Sequence, residues 1–181
     1  ISFSMNAQVS TNSTSPTGIY ASAMGNGTTA SGNESTAMGY DTTASGEAST
    51  AMGYKTTASA QGSTAMGKLT TASDFASVVI GQYNSSGSSA TSANSFSTSA
   101  PAFVIGNGTA SNAKSDAFKV MFNGDTTVSN DLTVSGDVVI SSDARLKSNI
   151  VSLGSTLPKL LQIDGKSYEM KGKQKIGVLA Q

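Results

Sequence analysis

The chain has 181 residues, with 11 basic groups against 11 acidic ones, charged residues at 12% and aromatic residues at 6%. Cys and His are both absent, which excludes disulfides, thiolate metal sites, zinc hydrolase chemistry and any Ser-His-Asp or Cys-His mechanism within this chain. Ser, Thr, Ala, Gly and Asn dominate, a mixture too low in charge for a typical disordered segment and too poor in Leu, Ile, Val and Phe for an ordinary globule.

Such small side chains suit stacked strands and tight turns, because they let backbones approach. No apolar run reaches the roughly 20 residues of a membrane span, so no membrane insertion is expected. The chain begins at Ile1 with neither Met nor a signal-like segment, and a fragment or processed product is expected. Charge is unevenly placed: residues 142–181 carry a net +4 and residues 1–141 a net −4. The basic stretch lacks interleaved aromatics, so no nucleic-acid partner is expected. Two regions of different origin is the simpler account.

After a lead-in over residues 1–19, residues 20–83 repeat one phrase. Met24-Gly25, Met38-Gly39, Met52-Gly53 and Met66-Gly67 lie 14 residues apart, and Ile80-Gly81 continues the series. Ser35, Ser49, Ser63 and Ser77 keep the same spacing, as do Ala30, Ala44, Ala58 and Ala72. A fixed period means that neighbouring units complete one another. Two heptads would also give fourteen, but a coiled coil needs apolar a and d positions and helix formers. Thr-Thr-Ala-Ser-Gly provides neither.

The period instead predicts an all-β fold of stacked coils, each with two short strands and two turns. Along "STAMGY", Ser49, Ala51 and Gly53 would face one side and Thr50, Met52 and Tyr54 the other. The small set fits the inside of a narrow roll. The Met set needs another apolar surface, since ordering fourteen backbones costs more than one Met and a few Ala return. An oligomer is therefore expected.

The phrase A-x-G-x-x-x-x-A-S-G-x-x-S-x-A-x-G over roughly residues 20–81 resembles the head repeat of trimeric autotransporter adhesins. Similar repeats occur in phage tail fibres. The resemblance implies a left-handed parallel β-roll assembled as a homotrimer. Met stands here where the family usually has Ile or Val, a conservative change for packing.

Two columns within the repeat have functional alternatives. Tyr40 and Tyr54 share a register with Asn26, Lys68 and Gln82, and could stack on sugars or simply cover the edge of the roll; the second is favoured. The Thr-Thr pairs (Thr28-Thr29, Thr42-Thr43, Thr56-Thr57, Thr70-Thr71) invite comparison with ice-binding arrays, but β-propensity and turn chemistry account for them more simply.

Residues 84–114 hold a Ser-rich insertion, "NSSGSSATSANSFSTSAP", and a final coil resuming at Phe103-Val104-Ile105-Gly106. An ordered loop or crossover is expected rather than a free tether. Gly106-Asn107-Gly108 is expected to be a turn, since no helix follows it. Residues 115–141 change to alternating strands: Phe118, Val120 and Phe122 share a face, Asn123-Gly124 signals a hairpin, and "TTVSN", "LTV" and "DVVI" follow. This is a β-meander with too little core for one chain, expected as a trimeric shaft.

The most specific signal lies in residues 142–181. S-D-x-R-L-K-x-N-I, then a Leu-rich segment, G-x-x-Y and I-G-V-L-A-Q, is similar to the start of the endosialidase-type intramolecular chaperone. That self-cleaving C-terminal domain occurs on phage tailspikes and tail fibres. The resemblance implies Ser142 as nucleophile and Lys147 as its base, with the scissile region at Asp143. A desolvated Lys can serve as base because burial disfavours its charged form. The alternative is that Ser141-Ser142-Asp143 caps a turn and Lys147 is solvated.

A short helix is expected around residues 156–162, with Ser155 as N-cap and Leu153, Leu157, Leu160 and Leu161 on its apolar face, giving a short α+β C-terminal segment. The helical remainder of the chaperone family is expected beyond Gln181. These readings together point to a phage or phage-like tail fibre, an extracellular virion component. Its partners would be tail or baseplate proteins and a host-cell receptor, glycan or protein.

The alternative is a bacterial trimeric surface adhesin. A polysaccharide-cutting tailspike would need suitably spaced carboxylates, and Glu34 and Glu47 are expected to be solvated turn residues instead. No cofactor, metal or substrate-directed activity is expected. Autoproteolysis is the one chemistry implied.

Overall fold

A computed structural model describes residues 13–135, 166–170 and 173–177. It divides into two compact units, Ile1–Thr133 and Val134–Gln181. Among the described residues there is no helix.

In the first unit each coil contributes one long and one short strand. The long strands are β2 (Ser22–Asn26), β4 (Thr36–Tyr40), β6 (Thr50–Tyr54), β8 (Thr64–Lys68) and β10 (Val78–Gln82). The short ones are β1 (Ser15–Pro16), β3 (Thr29–Ala30), β5 (Thr43–Ala44), β7 (Thr57–Ala58) and β9 (Thr71–Ala72). The short strands stack as one parallel sheet in the order β1-β3-β5-β7-β9. The long ones stack as a second, with Met24 on Met38, Met38 on Met52, Met52 on Met66 and Met66 on Ile80. The fourteen-residue phrase is thus one turn of a parallel β-solenoid.

Coils bond to one another through backbone, as in Thr29 N–H to Thr42 O at 2.8 Å and Thr43 N–H to Thr56 O at 2.9 Å. Each coil turns twice through left-handed backbone. One corner column comprises Glu34, Ala48 and Ala76 (φ 59°, 52° and 53°), and the other Asp41, Lys55, Leu69 and Tyr83 (φ 54°, 53°, 51° and 44°). This conformation is uncommon outside Gly and Asn. It is held here because each corner N–H bonds to the preceding coil, for example Lys55 to Tyr40 O and Leu69 to Tyr54 O, both at 2.8 Å.

The glycine after each Met has a different reason. A Cβ on Gly53 would lie 2.1 Å from the Gly67 carbonyl oxygen, and its φ is +129°. Only glycine lets the coils close to this spacing.

The core is correspondingly thin. Ala30, Ala44, Ala58 and Ala72 from the short strands meet Ala37, Ala51, Ala65, Val79 and Val104 from the long sheet, all fully buried. Two polar columns share the interior. Ser35, Ser49, Ser63 and Ser77 each donate their hydroxyl to the carbonyl three residues earlier, at 2.7 or 2.8 Å. The hydroxyls of Thr28, Thr42, Thr56 and Thr70 are buried with no hydrogen-bond partner among the described residues. The first Thr of every pair therefore points inward, so the pairs do not form an outward two-Thr array.

The insertion is an ordered crossover, as expected. Asn84 is buried, accepting from Thr71 N–H at 2.8 Å and donating to Thr71 O and Ser86 O at 2.9 and 2.8 Å. Asp74 stands in the column occupied by Gly18, Gly32, Gly46 and Ala60 above it, and its Oδ1 accepts from Thr91 and Ser92 N–H at 2.5 and 2.8 Å. The loop thereby closes the short-strand side of the stack.

The chain then returns to the long sheet as β11 (Pro101–Asn107), parallel to β10 with Gly106 on Gly81. Gly106 and Asn107 end this strand rather than forming a separate turn. The expected meander is built directly onto the same sheet. β12 (Asp116–Met121) pairs antiparallel with β11, and β13 (Thr126–Val128) with β12. The hairpin falls at Asn123-Gly124, where Asn123 Oδ1 accepts from Asp125 N–H at 2.9 Å.

One strand expected from sequence is missing. Leu132-Thr133-Val134 is irregular and exposed, with Leu132 at 70%. Its alternation has no neighbouring strand to pair with among the described residues. "DVVI", the helix expected at 156–162 and Ser142, Asp143 and Lys147 lie outside the described residues. In the second unit, β14 (Lys166–Met170) and β15 (Lys173–Gly177) pair antiparallel, with Tyr168 opposite Lys175.

Candidate functional site

The long sheet has two faces, set by the period-two alternation of its strands. Inward go Ala37, Ala51, Ala65, Val79 and Val104. Outward goes a continuous row. Register pairs Met24, Met38, Met52, Met66, Ile80 and Ile105 in succession, then Ile105 with Phe118 and Phe118 with Val128. Sequence spacing showed this row only as far as Ile80. The motif resuming at Phe103-Val104-Ile105-Gly106 marked the next coil, and the extension through Phe118 and Val128 needed the antiparallel pairing, which no period reveals.

On the single chain the row is incompletely covered. Met52 and Met66 are each 37% exposed, as is Val128. Phe103 packs edge-on to Phe118 with centroids 6.2 Å apart, broadening the stripe at its lower end. A contiguous apolar strip of this kind marks an interaction surface. Its residue types offer packing only, without a nucleophile or a base.

A second column lies where each long strand ends. Tyr40 and Tyr54 stack with centroids 5.2 Å apart and planes 9° apart. Beside them Lys55 Nζ lies 3.6 Å from Asp41 Oδ2, both side chains well exposed, so the pair adds little to stability. Each Tyr ring uses one face on the other, and both side chains stay partly exposed at the edge of the roll. Glu34 and Glu47 are exposed at the opposite corners, and Glu47 accepts from Gln61 Nε2 at 3.4 Å. They are turn residues, as expected.

The dyad implied by the C-terminal motif cannot be placed, since Ser142 and Lys147 fall outside the described residues. Of the motif's surroundings the structure shows the β14–β15 hairpin, which holds the Tyr168 of G-x-x-Y and the first two residues of I-G-V-L-A-Q.

Two families of known proteins match segments of the chain. Residues 17–42 and 44–70 match two copies of the YadA head domain repeat. Residues 142–181 match the chaperone of endosialidase. No curated protein and no solved structure matches it. Both matches agree with the resemblances seen in the sequence, and the first coincides with the solenoid coils. A chain combining such repeats with such a segment has the composition of a trimeric adhesin or tail-fibre-type protein.

Proposed function

We propose that this chain is a homotrimeric fibre segment of a phage or phage-like tail, exposed outside the cell and used in host recognition, whose assembly is assisted by its C-terminal chaperone-like region. The observation that carries the proposal is the conjunction of the two matches with the incompletely covered row from Met24 to Val128. Three chains packed row to row around a common axis would hide what one roll leaves in water. The chain would then read as lead-in (1–19), roll (20–83), insertion and last coil (84–114), strand shaft (115–141) and chaperone start (142–181).

Light scattering should return three times the chain mass. Met38→Gln, Met52→Gln and Met66→Gln combined should shift the assembly to single chains. A monodisperse monomer from the unaltered chain rejects the proposal.

The chaperone-like region would act once, after the trimer forms. Ser142 Oγ attacks the backbone carbonyl at the scissile bond while Lys147, neutral in a desolvated site, takes the hydroxyl proton. The same proton then passes to the departing amine, and water, deprotonated by Lys147, hydrolyses the resulting Ser142 ester to leave a carboxylate and the regenerated hydroxyl. Burial of Lys147 only in the assembled state would make cleavage report correct folding.

The test is expression in the full genomic context, with loss of a C-terminal piece followed on a gel. Ser142→Ala and Lys147→Ala should each leave the chain uncut. Continued cutting in either variant removes the dyad.

A bacterial surface adhesin is the second possibility, favoured by the YadA head repeats alone. Neighbouring genes discriminate, because tail and baseplate genes accompany one and a membrane-anchoring barrel the other.

A further inference from the structure

Below the last coil the loop after Tyr83 passes beside β12 and β13 and leaves a concavity of about 340 Å³. Its walls carry Lys114, Lys119, Asp116, Asn107, Thr127 and Ser129. Its position follows from strand alternation. Lys119 stands opposite Val104 and Thr127, and Val104 is one of the inward residues. Lys119 and Thr127 therefore lie on the side of the sheet away from the Met24–Val128 row. Packing chains together along that row leaves this side of the sheet facing outward.

The polar groups in the concavity divide into those already engaged and those still available. Asp116 is engaged, with Oδ1 and Oδ2 accepting from Ser85 and Ser86 N–H at 2.8 and 2.9 Å, and its carbonyl accepting the Ser129 hydroxyl. Asn107 Oδ1 accepts from Ser115 Oγ at 2.7 Å, which leaves its amide nitrogen to donate elsewhere. Lys114 and Lys119 have no carboxylate within ion-pair distance among the described residues. Two ammonium groups against one carboxylate give the walls a net charge of +1.

A site of this size falls at the small end of ligand pockets, which run from about 300 to 1,000 Å³. It has hydroxyl, amide and carboxylate groups for a polyol and one surplus positive charge for an acid. Aromatic or aliphatic walls that would select an apolar ligand are absent from the lining. The chemistry matches a single pyranose ring bearing one carboxylate.

We propose that this concavity binds a carboxylated sugar residue, such as a uronic or sialic acid unit of a cell-surface glycan. Lys114 and Lys119 receive the carboxylate, and Asn107 and Thr127 address the ring hydroxyls, while Asp116 holds the Ser85-Ser86 loop that forms one wall. The proposal rests on the host-recognition function above and supplies its ligand class.

The test is ligand-observed NMR titration of the full chain with glucuronic, galacturonic and N-acetylneuraminic acid, with glucose and N-acetylglucosamine as neutral controls and inorganic phosphate as competitor. At least one acid should bind and neither neutral sugar should. The double variant Lys114→Gln/Lys119→Gln should weaken that binding at least about tenfold, equivalent to about 1.4 kcal/mol, while Lys55→Gln should leave it unchanged. Thermal melts matching those of the unaltered chain certify the variants as folded.

Failure of all three acids, equal binding of the neutral sugars, an unaffected double variant, or displacement by phosphate at equal concentration would each overturn the proposal. Light scattering on the same samples separates the two levels. A trimer without sugar binding rejects the pocket alone, and a monomer that binds the acid rejects the trimeric fibre alone.

Discussion

Replacing Thr56 by Val tests how the interior of the roll is held together. Thr56 is fully buried, and its hydroxyl has no hydrogen-bond partner among the described residues. In the unfolded chain that hydroxyl is hydrated, so folding loses its water contacts without replacement. The cost of burying an unpaired hydroxyl is about 1–3 kcal/mol on protein mutational scales. Valine keeps the branching and nearly the volume, so it fills the same space in the same rotamer without strain.

Its methyl adds apolar burial worth about 0.8 kcal/mol at most. Thr56→Val should therefore stabilise each chain by about 1–3 kcal/mol, and in a trimer the gain recurs three times. The assay is chemical denaturation at fixed protein concentration, because an assembly's midpoint shifts with concentration. Thr57→Val, at a half-buried neighbour, serves as the control and should change little. A loss of stability in Thr56→Val would refute the argument, since it would mean that the inward hydroxyls have partners that the coil geometry does not provide.

Gly53→Ala should be severe. A Cβ there meets the Gly67 carbonyl at 2.1 Å in a backbone region that L-residues avoid, so a loss of more than about 3 kcal/mol is expected from strain and forced separation of coils, read as a lowered denaturation midpoint. Asp74→Ala removes the acceptor for Thr91 and Ser92 N–H; amide exchange at those two positions should accelerate by at least about tenfold, while exchange in the coils above stays as it was. Asp74→Asn, which keeps Oδ1 as an acceptor, should slow that exchange again.

Much of the fold was legible because a solenoid writes its geometry into its period. Coils stacked in register must place equal residues at equal intervals, and Met38, Met52 and Met66 do so. The direction of each side chain followed from alternation along "STAMGY". The Thr pairs were harder. Thr42 and Thr43 are chemically identical neighbours, so alternation says that one faces in without saying which, and the turn geometry before the short strand decides it.

The closing of the roll was not legible either. Asp74 looks like an ordinary polar residue until the loop amides of Thr91 and Ser92 are brought to it from 17 and 18 residues away. The same holds for the concavity beside β12, whose walls come from four separated stretches between Ser85 and Ser129. The dyad expected at Ser142 and Lys147 rests on the motif alone, because a nucleophile and base five residues apart have no meaning without the surrounding sequence, and both residues lie outside the described ones.

Register identity from coil to coil has a further consequence for length. Each of the middle coils presents the same upper and lower surfaces to its neighbours, with Thr36, Thr50 and Thr64 in one column and Gly39, Gly53 and Gly67 in another. Removing or duplicating one whole repeat exposes no new seam and shifts no corner out of place. The rod changes height by a single strand spacing of about 4.8 Å, while its cross-section and its flanking strands keep their form. Unequal exchange between near-identical coding units therefore alters the height of the roll in discrete steps while the backbone register from coil to coil is kept.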